Sequence, residues 1–349
     1  MTSERTHQRV PHRHRCGMPA ASIVALAVAL GIGCARARVP VPDSFDDTVA
    51  APVRYDAHRF FLRPVTTTGD TLLLFMDTGG INVLRRSVAE QGGMFPTPQL
   101  GPSGDTSWVV PLPHFKESAD LPMPARSVPL LMNVSSEQAM ASMAKVWPGT
   151  RAWSGQVGSM WFSAGVWRFD YVHGQVLLMR HSAGLAAPGP HVIPLALKIT
   201  AGPRRTNFAR VRAEIDGDSL DLLFDTGATS TLTDSAWRAI GDGLPRERAT
   251  SFMAASVFDR WHQRHPNWRF VPRAEFYTTR DMIEVPVISI AGFSVGPVWF
   301  TRRLDEEYLP YVSADTDRPV IGALGGSGLQ YFAITADYAR GLAEFSRPR

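Results

Sequence analysis

Two short runs in this 349-residue chain hold a carboxylate beside a residue with no side chain: Asp77-Thr78-Gly79 and Asp225-Thr226-Gly227. They sit 148 residues apart, and their surroundings repeat without a gap. Residues 69–79 read Gly-Asp-Thr-Leu-Leu-Leu-Phe-Met-Asp-Thr-Gly, and residues 217–227 read Gly-Asp-Ser-Leu-Asp-Leu-Leu-Phe-Asp-Thr-Gly. A duplication sets the two aspartates at equivalent places, where they can meet as a pair. Two carboxyls at about 3 Å cannot both ionise, so one keeps a proton while the other is charged. The charged member can take a proton from water, and the protonated member can polarise a carbonyl. Such a pair titrates as a unit, with no proton owned by either residue. Gly79 and Gly227 permit the close backbone approach and the amide contacts that the carboxylates need.

The elements that must carry these runs also repeat. Each copy reads as a turn (Gly69-Asp70, Gly217-Asp218), then a largely apolar strand, then the aspartate. Downstream of the first copy come Gln156-Val157-Gly158, then Trp167 to Tyr171 with Asp170, then an apolar strand over 176–179. Downstream of the second come Val320-Ile321-Gly322, then Phe332, Ile334 and Asp337-Tyr338, then a strand over 342–345. Gly158 is paired with Gly322 in this reading, which leaves 12 residues to Asp170 but 15 to Asp337. With 29 Gly, 27 Pro, 44% apolar residues and no long heptads, the chain predicts strands and turns around a sizeable core. Short helices are expected over 234–240 and 135–145, the latter with a capping box from Ser135 and Gln138. The Ala-, Gly- and Pro-rich stretch 181–191 reads as a linker. It separates residues 55–180 from residues 192–349.

Asp-Thr-Gly at the end of an apolar strand, twice in one chain, resembles the aspartic peptidases. The arrangement looks like the pepsin-type enzymes, built from two retropepsin-like halves, and Val320-Ile321-Gly322 is similar to the element that packs beside the catalytic loop there. About 30 positions within 55–346 carry the likeness. It implies a mainly β, bilobal fold: two similar β-barrel lobes, 55–180 and 192–349, with a cleft between them. It further implies an endopeptidase without a cofactor or metal, with Asp77 and Asp225 catalytic and Thr78 and Thr226 bonding across the lobes beside Gly79 and Gly227. The partner would be a peptide or protein substrate. Since one chain supplies both aspartates, a monomer suffices. This chain departs from the pepsin-type pattern after each Gly, where Gly80 and Ala228 stand in place of Ser or Thr. Each lost hydroxyl removes a donor that would favour the charged carboxylate. The departure predicts a pH optimum less acidic than pepsin's, and a first loop left less constrained by Gly80. Two other readings stay open: an inactive, peptidase-like peptide-binding lipoprotein of the envelope, and another two-carboxylate hydrolase such as a glycosidase.

The N-terminus reads as an export signal over 1–33. Arg5, Arg9, Arg13 and Arg15 precede a 14-residue uncharged stretch at 20–33, short for a membrane span. Leu30-Gly31-Ile32-Gly33-Cys34 resembles a lipobox, which makes Cys34 the lipidation site and 34–54 a tether. Ala35 after it is similar to the outer-membrane sorting pattern, so the expected place is the periplasmic face of that membrane, or else the periplasm or medium. The membrane contact expected is through that lipid alone. The chain has 36 Lys+Arg against 32 Asp+Glu; without the four Arg and one Glu of 1–33, the balance is 32 against 31. No nucleic-acid footprint remains. With Cys16 and Cys34 as the two cysteines, the folded part offers no disulfide and no thiolate metal site. Asp259, His262 and His265 imitate metal-ligand spacing but spread around a helix that Pro266 ends. Trp261, Trp268 and Phe270 read as packing, and Trp108 as core ahead of a place on a flap.

Overall fold

The structure, a computed structural model, describes residues 48–100, 104–116, 130–163, 165–179, 185, 189–199 and 206–347. The expected export signal at 1–33, Cys34, the tether up to residue 47 and most of the linker 181–191 lie outside the described residues. The described part is mainly β, with 42% strand against 21% helix.

The apolar run before each aspartate forms the strand the sequence predicts. In the second copy, Ala209–Ile215 and Asp218–Phe224 make a hairpin in register from Ile215↔Asp218 to Arg210↔Leu223. Its tight turn is Asp216-Gly217, one residue earlier than expected, with φ of 54° and 79° at the two positions. That double left-handed turn matches the twist of the flanking strands. In the first copy the connection is longer, and the strand Leu74–Met76 pairs with Arg59–Leu62 through Phe61↔Phe75 and Leu62↔Leu74.

Each of these strands takes a parallel partner from about 80 to 100 residues further on. Leu74–Met76 lies beside Gly155–Val157, with Phe75↔Gln156 and Met76↔Val157. Asp218–Phe224 lies beside Gly322–Leu324, with Leu223↔Ala323 and Phe224↔Leu324. The register corrects the repeat. The counterpart of Gly158 is Gly325, not Gly322, and both glycines then stand 12 residues before Asp170 and Asp337. Crowding explains both: a Cβ on Gly158 would lie 2.4 Å from the Gly80 carbonyl oxygen, and one on Gly325 would lie 2.0 Å from that of Thr250.

One eight-stranded sheet is drawn from residues 53–157 and one ten-stranded sheet from residues 196–324. A six-stranded sheet is shared. Val166–Asp170 and Ala333–Asp337 run antiparallel at its centre and cross at Arg168↔Thr335. Flanking them are Gln175–Met179 and Leu342–Ser346, with Thr48–Ala50 and Val192–Pro194 at the edges. The two halves therefore meet strand to strand. Residues 48–54, expected in the tether, are largely strand instead: Thr48–Ala50 pairs with Leu177 to Met179, and Val53 and Arg54 pair with Leu62 and Phe61. Edge amides beside a buried sheet are satisfied by adding such a strand.

The expected helix 234–240 is present as Asp234–Ile240, capped by Thr233 and ended by Gly241 at φ 62°. The helix expected at 135–145 runs Glu137–Val146. Its cap is Ser136, whose side chain accepts from the Ala139 amide, so the Ser135–Gln138 capping box does not form. Ser135 is held as the last residue of the strand Leu131–Ser135, and Glu137 reaches Arg85 and Ser87 instead.

A buried charge group also joins the halves. Arg59, fully buried, donates to Asp56, to the Glu247 carboxylate at 3.2 Å and to the Glu247 carbonyl at 2.9 Å. Removing one partner of such a group strands the others in a low-dielectric interior, at about 3–5 kcal/mol. Arg59→Met should lower the unfolding free energy by about that amount in a urea titration; a change below about 1 kcal/mol would show that water reaches the two acids.

Candidate active site

The two aspartates arrive at one point. Each parallel partner strand fixes the amide of an aspartate: Asp77 donates to the Val157 carbonyl at 3.0 Å and Asp225 to that of Leu324 at 3.1 Å. Met76, Val157, Phe224 and Leu324 beneath the loops are fully buried, so the backbone here is held by packing as well as by bonds. The turn after each aspartate is identical. Gly79 donates its amide to Asp77 Oδ1 and Gly227 donates to Asp225 Oδ1, both at 2.9 Å.

The threonines tie the loops to each other. The Thr78 amide donates to Thr226 Oγ1 at 3.1 Å, and the Thr226 amide donates to Thr78 Oγ1 at 2.9 Å. Each hydroxyl then passes its own proton across: Thr78 Oγ1 to the Phe224 carbonyl at 2.7 Å, and Thr226 Oγ1 to the Met76 carbonyl at 2.9 Å. All four bonds run between positions about 148 residues apart, and both side chains are buried. The sequence expectation for Thr78 and Thr226 matches this geometry.

Each carboxyl lies over the other loop's glycine. A Cβ on Gly227 would sit 2.4 Å from Asp77 Oδ1, and one on Gly79 would sit 2.6 Å from the Asp225 carboxyl carbon. The two carboxyls are near enough that each shifts the titration of the other. Burial pushes the Asp77 carboxyl well above its ordinary range, with the charge of Asp225 adding to it. Burial also moves Asp225, to about 6. Above about pH 6 such a pair holds one proton, the other having been lost.

The sequence did not single out Gln156 for this site. Its Nε2 donates to Asp77 Oδ2 at 2.9 Å, and it is buried. The signal was a polar residue in a strand whose counterpart, Ala323, is apolar. This contact corrects the expectation drawn from Gly80. The space over Gly80 is filled, since a Cβ there would stand 2.1 Å from Gln156 Nε2, and Asp77 is not short of a side-chain donor. At Ala228 no side-chain donor is present, and Asp225 takes its bond from the Gly227 amide.

The other singled-out residues lie in other roles. Asp259 pairs with Arg302 at 2.6 Å, His262 stacks on Phe270 and His265 bonds Asp216, so the three do not converge. Among the described residues no group of acids, His and Cys is placed to hold a metal ion. Trp261 is fully buried against Phe300, while Trp268 stacks on His265. Trp108 is not core: it lies in the strand Thr106–Pro111, opposite Pro98, and is 47% exposed. Its partner strand Thr97–Leu100 is exposed along its whole length, which leaves the ring to solvent. No family model and no curated protein matches this chain.

Two outcomes test the geometry. Thr78→Val keeps the shape but leaves the Thr226 amide and the Phe224 carbonyl buried and unbonded, at about 1–3 kcal/mol each. Thermal unfolding should show the loss, and Thr78→Ser should restore most of it. The second concerns pH. The dyad carboxyls titrate higher folded than unfolded, so the folded state binds more protons between the ordinary value of 3.8 and about 6. The contribution of Asp225 is complete below 3.8 and is lost as pH rises through about 6, and that of Asp77 runs in the same direction. A rise from 3.8 to about 6 corresponds to about 3 kcal/mol for one group. The double variant Asp77→Asn/Asp225→Asn should lose this slope; a profile parallel to that of the unaltered protein would place both carboxyls in the ordinary range.

Proposed function

We propose that this protein is an aspartic endopeptidase of the bilobal, pepsin-like kind, with a substrate cleft between two similar β-barrel lobes and Asp77 and Asp225 at its floor. The observation that carries the reading is the meeting of two Asp-Thr-Gly loops whose carboxyls each lie over the other loop's glycine and whose threonines bond each other reciprocally. A glycosidase pair stands about 5 Å or more apart, with room for a sugar between; carboxyls that each lie over the other loop's glycine fit a single water better.

In the mechanism, the ionised carboxyl takes a proton from a water held between the two. The resulting hydroxide bonds to the peptide carbonyl carbon, and the protonated carboxyl gives its proton to the carbonyl oxygen. The product is a neutral gem-diol, and the dyad again holds one proton. Collapse breaks the C–N bond: one diol hydroxyl returns its proton to the charged carboxyl as the carbonyl re-forms, and the amine leaves with a proton from the dyad. The balance needs water alone, and the protein supplies position and a preset proton. A peptide or protein is the substrate, and one chain provides the whole pair. We also place the protein at the bacterial cell envelope, exported by residues 1–33 and anchored by lipid on Cys34, with the periplasmic face of the outer membrane as its site.

Cleavage of a diverse peptide library by the full chain across pH 3 to 8 tests this reading. Activity should peak above about pH 6, where the pair holds one proton, and pepstatin should abolish it. Asp77→Asn and Asp225→Asn should each cut kcat/KM by at least about a thousandfold with the fold retained, as loss of a reacting group does. Retained cleavage in both variants, or an optimum near pH 2, would sink the dyad. Pepstatin binding without turnover at any pH would instead mark an inactive peptide-binding protein.

A further inference from the structure

Position 156 sets the two halves of the dyad apart. Gln156 lies in the strand Gly155–Val157, opposite Phe75 on one side and Val83 on the other, and is 1% exposed. A primary amide buried among apolar strands costs free energy unless its hydrogens are bonded. Both are: Nε2 donates to Asp77 Oδ2 at 2.9 Å and to the Ile81 carbonyl at 3.1 Å. Two acceptors on one side fix which end of the amide faces the dyad, because a flip would set Oε1 against both oxygens.

The counterpart in the other half has no such group. The parallel registers equate Gln156 with Ala323, and the repeat equates Gly80 with Ala228. One half thus holds a small residue after the loop and a long donor beside it; the other holds two methyl groups. Sterics link the first pair of choices. A Cβ at position 80 would lie 2.1 Å from Gln156 Nε2 and 2.2 Å from Asp77 Oδ2, so glycine opens the space in which amide and carboxyl meet. At Asp77 both oxygens accept a bond from a neutral donor, Gly79 on Oδ1 and Gln156 on Oδ2. Among the described residues, Asp225 receives no side-chain amide or hydroxyl from its own half.

We propose that Gln156 is a positioning residue for the dyad: its amide, carried by the neighbouring strand, supplies the outer oxygen of Asp77 with the hydrogen bond that residue 80 lacks the side chain to make. The inference rests on the peptidase reading for its consequence, and on geometry alone for the contact. Gln156 holds Asp77 in one rotamer and favours its charged form, so that Asp77 ionises at lower pH than it would without the amide. The ionisable groups that bear on this are few among the described residues. Asp225 faces Asp77 directly; Tyr171 and Tyr308 sense the charge of Asp225 and are kept neutral by burial. The threonine hydroxyls are committed to the Phe224 and Met76 carbonyls.

The test uses the full chain and two near-isosteric variants. Gln156→Met keeps length and volume and removes the donor. In a carbon-13 carboxyl titration, with Asp77 and Asp225 assigned through their Asn variants, the apparent titration of Asp77 should move up by about one pH unit, the size of one bond to a charged group. The alkaline limb of kcat/KM should move up by the same amount, with a smaller change in KM. Gln156→Glu restores a donor only while the introduced carboxyl is protonated, so it should behave like the unaltered protein at low pH and lose the match as pH rises. Titration unchanged in both variants would overturn the proposal and leave Gln156 as filler. If the unaltered protein cleaves nothing, the peptidase reading fails, and the carboxyl titration still decides the role of Gln156.

Discussion

The reciprocal bonding of Thr78 and Thr226 is the constraint on which the rest of the site depends. Two loops from distant parts of the chain must hold two carboxyls in contact, although like charge and burial both oppose it. Four hydrogen bonds among buried groups make the approach a requirement of backbone satisfaction. If the loops drew apart, two amides and two carbonyls would lose their partners in a dry interior. The glycines complete the constraint, since a side chain at Gly79 or Gly227 would occupy the space of the opposite carboxyl.

The larger architecture serves that contact. Each loop hangs from a strand clamped by a parallel neighbour, and just past each neighbour a glycine is pressed against nearby backbone. The shared six-stranded sheet and the Arg59 group hold the halves in register away from the loops. Phe169 on the shared sheet meets Phe224, the residue just before Asp225, at 6.0 Å between ring centres. Packing thus runs without a break from the sheet to the aspartate. A rigid support of this kind fixes the geometry of the carboxyl pair.

Within this frame the halves are alike in backbone and unlike in chemistry. Gly80 with Gln156 and Ala228 with Ala323 are two solutions to the same local volume. A homodimer would have to use one solution twice. A duplicated chain is free to let them diverge, and among the described residues the pair has a side-chain amide donor on one carboxyl, that of Asp77.

What the sequence determined by itself was local and periodic. The apolar strands, the two Asp-Thr-Gly loops, the helix Asp234–Ile240 and the mainly β character follow from residue type and spacing, and the repeat set Asp77 and Asp225 as equivalents. The tertiary structure decided what depends on register between strands far apart in the chain. Pairing moved the equivalent of Gly158 from Gly322 to Gly325, because backbone crowding selects the glycine and an apolar pattern does not. It moved the helix cap from Ser135 to Ser136, since Ser135 was already bound in a strand. It brought Gln156 to Asp77 across 79 residues, in a contact that no local periodicity encodes. Side-chain chemistry is written along the chain, while the donor that reaches a given carboxylate is set by which strand lies next to it.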